Sequence, residues 1–193
     1  MKAYVTGGTG FVGSNIVKVF AEKYGAAVHC PVHRFVPEGE LAYTTEVLDL
    51  LDVDAVRGSV GAFAPDVIVH SMILNDFTRL MDDRELGWAS YVDTTATLAD
   101  AANELGAKLI LVSTDWVFDG TQTGAHEETP PNPVNYYGVL KLASELVALT
   151  RCPRGSVARV SGVNGVHWAR PTTEREQDCG FGYFVASMVD ALS

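Results

Sequence analysis

Cysteine, positive charge and long apolar runs are all scarce in this sequence, and each scarcity excludes a class of protein. The three cysteines, Cys30, Cys152 and Cys179, are scattered and form no C-x-x-C pair, so no disulfide framework is expected. A formal net charge of −10 argues against the basic face that non-specific nucleic-acid binding needs. No apolar run approaches the length of a membrane span, and the N-terminal apolar stretch is too short for a signal peptide. We therefore expect a cytoplasmic protein that binds neither nucleic acid nor membranes.

What the sequence does contain is an alternation of strand-length and helix-length segments over its 193 residues. Strands are predicted at 2–5, 27–32, 46–49, 66–70, 108–113 and 156–160. Helices are predicted at 14–20, 52–63, 84–105, 135–150 and 181–192, with loops at 121–133 and 162–180. Asp52 and Gly106 are expected to cap helices, and Pro31 is tolerable only near a strand end or edge. This order predicts an α/β, Rossmann-like, doubly wound parallel sheet with helices on both faces.

A glycine-rich turn separates the first predicted strand from the first predicted helix. Its spacing is Gly7-x-x-Gly10-x-x-Gly13 rather than the commoner G-x-G-x-x-G. Glycines allow a close approach of the backbone, so amide groups at the helix N-terminus can hold a pyrophosphate. Tight turns also need glycine for purely steric reasons. The position between a strand and a helix favours nucleotide binding.

Tyr137 and Lys141 are four residues apart and therefore share one face of a predicted helix. An ammonium group beside a phenol lowers the phenol pKa from about 10, which suits a general acid or base. Tyr136 lies about 140° away from Lys141 around the helix. Taken alone, this spacing favours an ordinary helix with a solvated lysine, because Y-x-x-x-K occurs often by chance. Ser113 and Thr114 end the fifth predicted strand, where a hydroxyl can bind a substrate carbonyl or merely cap a turn.

In this order, the glycine turn, residues 113–120 and the helix with Tyr137 and Lys141 resemble an extended short-chain dehydrogenase/reductase. The resemblance is strongest to the dTDP-4-dehydrorhamnose reductase branch, and residues 49–52, 65–70 and 133–138 also match it. It covers essentially the whole chain. The fold it implies is the same Rossmann-like sheet.

The resemblance implies a role for each matching position. Tyr137 protonates the substrate oxygen, Lys141 lowers the Tyr137 pKa and binds the nicotinamide ribose, and Thr114 orients the carbonyl. Ser113 lies close behind Thr114. The glycines would hold the pyrophosphate, and Asp49 with Leu50 would border the adenine. The complete set of implied cofactor contacts is Gly7, Thr9, Gly10, Phe11, Val12, Gly13, His33, Arg34, Asp49, Leu50, Ser71, Tyr137 and Lys141.

The choice between NADP and NAD has a separate physical argument. NAD sites usually place an acid after the second strand to bind the ribose 2′-hydroxyl, whereas an arginine accommodates a 2′-phosphate. Here the strand is followed by His33 and Arg34, with no acid until Glu38. NADP is therefore predicted over NAD, with Arg34 as the phosphate clamp rather than a surface cation. His29, Cys30 and His33 lack a fourth ligand nearby, so no metal site is predicted.

The sequence departs from the branch in three respects. Asp93 stands where these enzymes commonly carry an asparagine that supports the active site. Ser71 and Met72 replace a pair of alanines after the fourth strand. Members of the branch continue for roughly another hundred residues. The expected division is therefore a dinucleotide-binding domain at 1–165 and the start of a truncated substrate lobe at 166–193, with most of that lobe missing.

The function predicted from the sequence is an NADP-dependent oxidoreductase that reduces a keto group of a nucleotide-linked sugar. The resemblance also implies a homodimer formed through residues 84–105 and 135–150. Two alternatives stay open. One is an NAD-dependent sugar-nucleotide epimerase or dehydratase, for which Asp115 offers only one carboxylate beside Thr114. The other is a non-catalytic NADP-binding regulatory subunit, because the branch also resembles the regulatory subunit of methionine adenosyltransferase.

Overall fold

Six parallel strands form one sheet in the computed structural model, which describes residues 1–37, 41–74 and 76–169. They are β1 (Lys2–Thr6), β2 (Ala27–Val32), β3 (Thr44–Val47), β4 (Val67–His70), β5 (Lys108–Thr114) and β6 (Gly155–Val160). The order across the sheet is β3-β2-β1-β4-β5-β6, the doubly wound order typical of dinucleotide-binding domains. The predicted fold class is confirmed. The order of strands reverses between β1 and β4, where such sheets bind their ligands.

Helices cover both faces of the sheet. They are α1 (Phe11–Lys18), α2 (Val53–Phe63), α3 (Phe77–Asp82), α4 (Arg84–Trp88), α5 (Thr94–Leu105) and α6 (Tyr136–Arg151), with π-helical turns at Val19–Lys23 and Ala89–Asp93. Alternate residues of the central strands point to opposite faces. Tyr4 and Ile68 pack with buried residues of α2, α5 and α6. Val5 and Val69 pack with Val17 of α1 on the other face.

Several predicted boundaries need correction. The third strand spans 44–47 rather than 46–49, because the chain turns after Leu48 through a hydrogen bond from the Asp52 amide to the Asp49 carbonyl (3.1 Å). The first helix begins at Phe11, three residues early, since Gly10 is its N-cap. Helix α3 was not predicted; the Asp76 carboxylate caps it by accepting from the Arg79 amide (2.9 Å). The predicted last helix, 181–192, lies outside the described residues.

Other local predictions hold. The Asp52 carboxylate accepts from the Ala55 amide at 3.0 Å and caps α2. Gly106 ends α5 with a φ of +65°, a left-handed conformation that favours glycine. Pro31 pairs with Glu46 of β3. The pairing of β2 with β1 ends at His29, so the amide hydrogen that Pro31 lacks is not needed for hydrogen bonds between these two strands. Within the described ranges, the structure contains no helix that is long and apolar enough to cross a membrane.

Candidate active site

The glycine turn is a tightly packed backbone cradle between β1 and α1. Gly7 has a φ of +69°, and a Cβ there would lie 2.7 Å from the backbone nitrogen of Met72. A Cβ on Gly13 would overlap the carbonyl oxygen of Gly7, while the Gly10 amide donates to that same oxygen at 2.9 Å. Gly8 also has no room for a side chain, because a Cβ would meet the Sγ of Cys30. The spacing argument did not single out Gly8; only the position of Cys30 in the folded chain reveals it.

The cradle fits a pyrophosphate. Gly10 provides no side-chain acceptor at the N-cap of α1, and the first turn of α1 carries no acidic residue. The amide dipoles at this helix end therefore favour an anion without competition from a capping carboxylate. Thr9, Phe11 and Val12 lie half-buried in this turn, next to Gly13.

The end of β4 completes the cradle from the other side of the strand reversal. The Thr6 hydroxyl and the Nδ1 of His70 are hydrogen bonded at 2.6 Å in a buried position. The Ser71 hydroxyl donates to the Thr6 carbonyl at 2.8 Å, which ties the two strand ends together. Ser71 and Met72 thus bring their backbone against Gly7, as the backbone distances at that glycine show.

His70 is fully buried, and burial is the main reason that its pKa is lowered to about 3, with a smaller effect from the charge of Lys141. The unfolded chain binds a proton below pH 6.5 and the folded chain does not, so the free energy of unfolding should fall as the pH drops from 6.5 towards 3. We expect this fall to be at most about 1.4 kcal/mol per pH unit. His70→Asn keeps a hydrogen-bonding atom near Thr6 but cannot titrate. Urea denaturation between pH 7 and 5 should show a flatter dependence for the variant, and parallel curves would contradict the assignment.

The residues predicted to select NADP follow β2, and those predicted to border the adenine follow β3. His33 and Arg34 come directly after β2, are exposed, and form no hydrogen bond or ion pair with any other residue in the described part of the chain. Asp49 and Leu50 follow β3. The Asp49 carboxylate accepts from the Leu51 amide at 3.0 Å, while Leu50 packs on the core. All four therefore lie at the carboxyl edge of the sheet.

Thr114 and Tyr137 meet at the carboxyl end of β5. The Asn135 side chain caps α6 by accepting from the Gly138 amide at 2.8 Å. A Cβ on Gly138 would overlap the carbonyl oxygen of Trp116, so α6 can approach the end of β5 only because residue 138 is glycine. This contact places Tyr137 at the end of β5, near enough to Thr114 for the Thr114 hydroxyl to lower the Tyr137 pKa. Gly138 is a positioning residue that the sequence motif did not reveal.

Three aromatic rings surround Tyr137. The ring centroids of Phe77, Tyr91 and Trp116 lie 5.8, 5.8 and 5.7 Å from that of Tyr137, each with its edge towards a face. Burial raises the Tyr137 pKa above its ordinary value, while its interaction with Thr114 opposes the rise. In this structure burial outweighs the opposing influence of Thr114, and the lowering of this pKa by Lys141 stays a prediction.

Lys141 lies on the same side of α6 but points to the strand behind. Its side chain is 2% exposed, and Nζ donates to the Val112 carbonyl at 2.6 Å. Burial lowers the Lys141 pKa to about 8, and the Glu145 carboxylate opposes this effect. The alternative of a solvated lysine is excluded. Tyr136 points elsewhere, its hydroxyl donating to the Arg84 carbonyl at 2.9 Å.

A cleft of about 450 Å³ opens after the end of β5, and neither Thr114 nor Tyr137 is among its lining residues. Its lining comes from the segment after β5 and the start of α6: Asp115, Trp116, Phe118, Asp119, Gly120, Gln122, Ala125 and Asn135. The Asp115 carboxylate accepts from the hydroxyls of Thr114 (3.2 Å) and Ser161 (2.8 Å). Asp93, which stands where these enzymes commonly carry an asparagine, is exposed.

Comparison with known sequences identifies relatives over most of the chain. The family model described as RmlD substrate binding domain matches residues 1–170. Methionine adenosyltransferase 2 subunit beta of Danio rerio is 37% identical over 159 residues, which are 82% of this chain and 47% of that protein. The dTDP-4-dehydrorhamnose reductase of Salmonella typhimurium is 34% identical over 116 residues, 60% of this chain and 39% of that enzyme. The chain spans about half the length, or less, of these relatives.

Solved structures agree with the fold. A hypothetical dTDP-4-dehydrorhamnose reductase from Sulfolobus tokodaii superposes with a TM-score of 0.76 at 26% identity, covering 86% of this chain and 57% of that one. The dTDP-4-dehydrorhamnose reductase of Bacillus anthracis, solved in complex with NADP, has the same TM-score of 0.76 at 21% identity. The superposed region covers 98% of this chain and 59% of the Bacillus anthracis chain. At that identity the second likeness shows the fold alone.

Proposed function

Because this chain belongs to the family of RmlD substrate binding domains, we propose that it is the NADP-binding and catalytic part of an oxidoreductase. The substrate class is a nucleotide-linked sugar with a keto group. The observation that carries the proposal is the close packing of Gly138 of α6 against the Trp116 carbonyl, which places Tyr137 and the buried Lys141 of the same helix at the end of β5, near Thr114. These residues lie at the same sheet edge as the glycine cradle, as parallel strands require.

The chain's own residues would hold the cofactor at that edge. The turn from Gly7 to Gly13 would bind the pyrophosphate, and Asp49 with Leu50 would border the adenine. Ser71 would flank the nicotinamide side, where it already fixes the end of β1. Bound NADPH would supply the hydride that reduces the keto carbon.

Proton transfer is the task of Tyr137 in this proposal. The Thr114 hydroxyl would hold and polarise the keto oxygen while Tyr137 Oη donates its proton to it. Burial raises the Tyr137 pKa, so the phenol keeps this proton at neutral pH and is ready to act as an acid. That state suits reduction of a ketone. The Lys141 ammonium would bind the nicotinamide ribose.

Arg34 would select NADP over NAD by binding the 2′-phosphate. Its guanidinium is exposed shortly after the end of β2, at the carboxyl edge of the sheet where the glycine cradle also lies. A charge-assisted bond contributes about 1.5–3 kcal/mol. We expect Arg34→Ala to weaken NADPH binding roughly 10- to 100-fold and to leave NADH binding unchanged.

A fluorescence titration with both nucleotides measures this selectivity. The matched control is Arg151→Ala, which removes the same charge at the other end of the sheet, where Arg151 pairs with Asp100 at 2.8 Å. That variant should bind NADPH like the wild type. Equal losses for NADPH and NADH in Arg34→Ala would show that Arg34 does not read the 2′-phosphate.

The activity itself is tested by following NADPH oxidation with a panel of 4-keto nucleotide sugars. Turnover of at least one of them supports the reductase. Tight nucleotide binding without turnover of any would instead favour a second candidate, a non-catalytic regulatory subunit. The similarity to methionine adenosyltransferase 2 subunit beta supports that candidate. A stable hetero-complex in a pull-down would distinguish it further.

A homodimer through α4, α5 and α6 is part of the proposal. Support comes from apolar side chains that α6 exposes, since Val139, Leu146 and Leu149 are 43%, 58% and 50% exposed. Trp88 at the end of α4 is 46% exposed. Burying such a face against its copy would remove apolar surface from water. Light scattering of the purified chain measures the oligomeric state.

A further inference from the structure

Glu145 belongs to a buried network of charged and polar side chains to which the proposed function gives no role. It lies on α6 one helical turn after Lys141 and is 3% exposed. The Ser113 hydroxyl at the end of β5 donates to its Oε1. The Arg159 guanidinium of β6 donates from Nε to both carboxylate oxygens (3.0 and 3.2 Å) and from Nη2 to Oε2 (2.7 Å). Side chains of β5 and β6 thus hold this carboxylate of α6 in place.

Stability alone does not account for the network. Removing two charges from water costs about as much free energy as their attraction returns, so apolar residues of similar size would stabilise the fold equally well. The carboxylate nevertheless lies on the same face of α6 as a lysine that is 2% exposed. A buried amine loses its proton easily unless an opposite charge is near.

Glu145 differs in charge from the other ionisable groups around Lys141. His70 of β4 is neutral, since its pKa is lowered to about 3. The Tyr91 ring lies 5.8 Å from Nζ, and both Tyr91 and Tyr137 are protonated phenols, because burial raises the pKa of each. Among the described groups that act on Lys141, Glu145 is the one whose charge favours the ammonium form. Arg159 lies behind Glu145 and is partly exposed to water, which screens its own charge.

We propose that Glu145, clamped by Arg159 and Ser113, is a positioning residue that keeps the buried Lys141 amine protonated and directed at the end of β5. Arg159 holds the carboxylate in place through its three hydrogen bonds. Ser113 couples it to the strand whose Val112 carbonyl accepts from Lys141. The consequence for ribose binding rests on the proposed function, whereas the protonation of Lys141 does not.

The protonation of Lys141 can be measured directly by NMR. The chain has five lysines, so the ¹³Cε signal of Lys141 can be assigned from its loss in Lys141→Met. In the wild type its midpoint is expected near pH 8. In Glu145→Gln, which keeps the shape but removes the charge, the midpoint should fall by roughly one pH unit or more. This readout needs no nucleotide and no turnover, so its result is independent of the proposed reaction.

Arg159→Met is the matched control, because it breaks the same ion pair without removing the carboxylate. Both variants should lose thermal stability, but only Glu145→Gln should lower the Lys141 midpoint. An unchanged midpoint in Glu145→Gln, or an equal fall in both variants, would overturn the proposal. If Glu145→Gln does not fold, the double variant with Arg159→Met compared with Arg159→Met alone isolates the same charge, and equal midpoints there would also overturn it.

Discussion

Tyr137→Phe is expected to lower turnover of a keto nucleotide sugar by roughly 10²- to 10⁴-fold, the usual contribution of a general acid. The phenylalanine ring can keep the edge-to-face contacts with Phe77, Tyr91 and Trp116, so the fold should be retained. What disappears is the proton donor beside Thr114. Affinity for NADPH should fall far less than turnover, because the hydroxyl acts chiefly on the substrate oxygen. Initial rates of NADPH oxidation together with a nucleotide titration measure both effects.

Tyr136→Phe supplies the control for this prediction. It removes a neighbouring hydroxyl that donates to the Arg84 carbonyl at 2.9 Å. The loss of that bond should cost about 1 kcal/mol of stability and leave turnover near that of the wild type. Similar turnover in Tyr137→Phe and the wild type would remove Tyr137 from the reaction.

Gly13→Ala is expected to weaken nucleotide binding by about 100-fold or more. The added Cβ would overlap the Gly7 carbonyl oxygen, an atom of the rigid backbone, so the turn must move. A displacement of that kind misdirects the amides of the first helical turn and costs about 1–3 kcal/mol of stability. NADPH fluorescence titration and thermal unfolding measure the two losses.

Gly58→Ala is the control that distinguishes damage to the glycine cradle from the general effect of replacing a glycine by alanine. Gly58 lies within α2, and a Cβ there meets no atom within 4 Å. Alanine in a helix interior is favoured over glycine by about 0.5–1 kcal/mol. This variant should therefore be at least as stable as the wild type and bind NADPH equally. Unimpaired binding by Gly13→Ala would place the pyrophosphate elsewhere.

The sheet and the cradle could be predicted from sequence because their causes are local. Parallel strands buried on both faces read as continuous apolar runs, as at β4 and β5. The need for glycine at the turn follows from chain geometry between one strand and one helix. The caps at Asp52 and Gly106 follow from single residue types at helix ends.

The electrostatic state of the site could not be predicted, because it depends on residues distant in sequence. The Tyr137 pKa is raised by burial, to which the rings of Phe77 and Tyr91 contribute, and no spacing within α6 reveals them. The carboxylate that acts on Lys141 is held by Arg159, on a strand that follows α6. Helix α3 was missed because its short length gives little periodicity, although Asp76 is an ordinary capping residue.

The function that we propose has this chain bind NADPH and deliver its hydride to a keto carbon beside Tyr137. The most direct measurement uses NADPH deuterated at the transferred position, a 4-keto nucleotide sugar and mass spectrometry of the sugar product. We predict one deuterium on the former keto carbon with the wild type and at least about 100-fold less with Tyr137→Phe. A wild-type chain that binds the nucleotide yet leaves every sugar in the panel free of deuterium would contradict it.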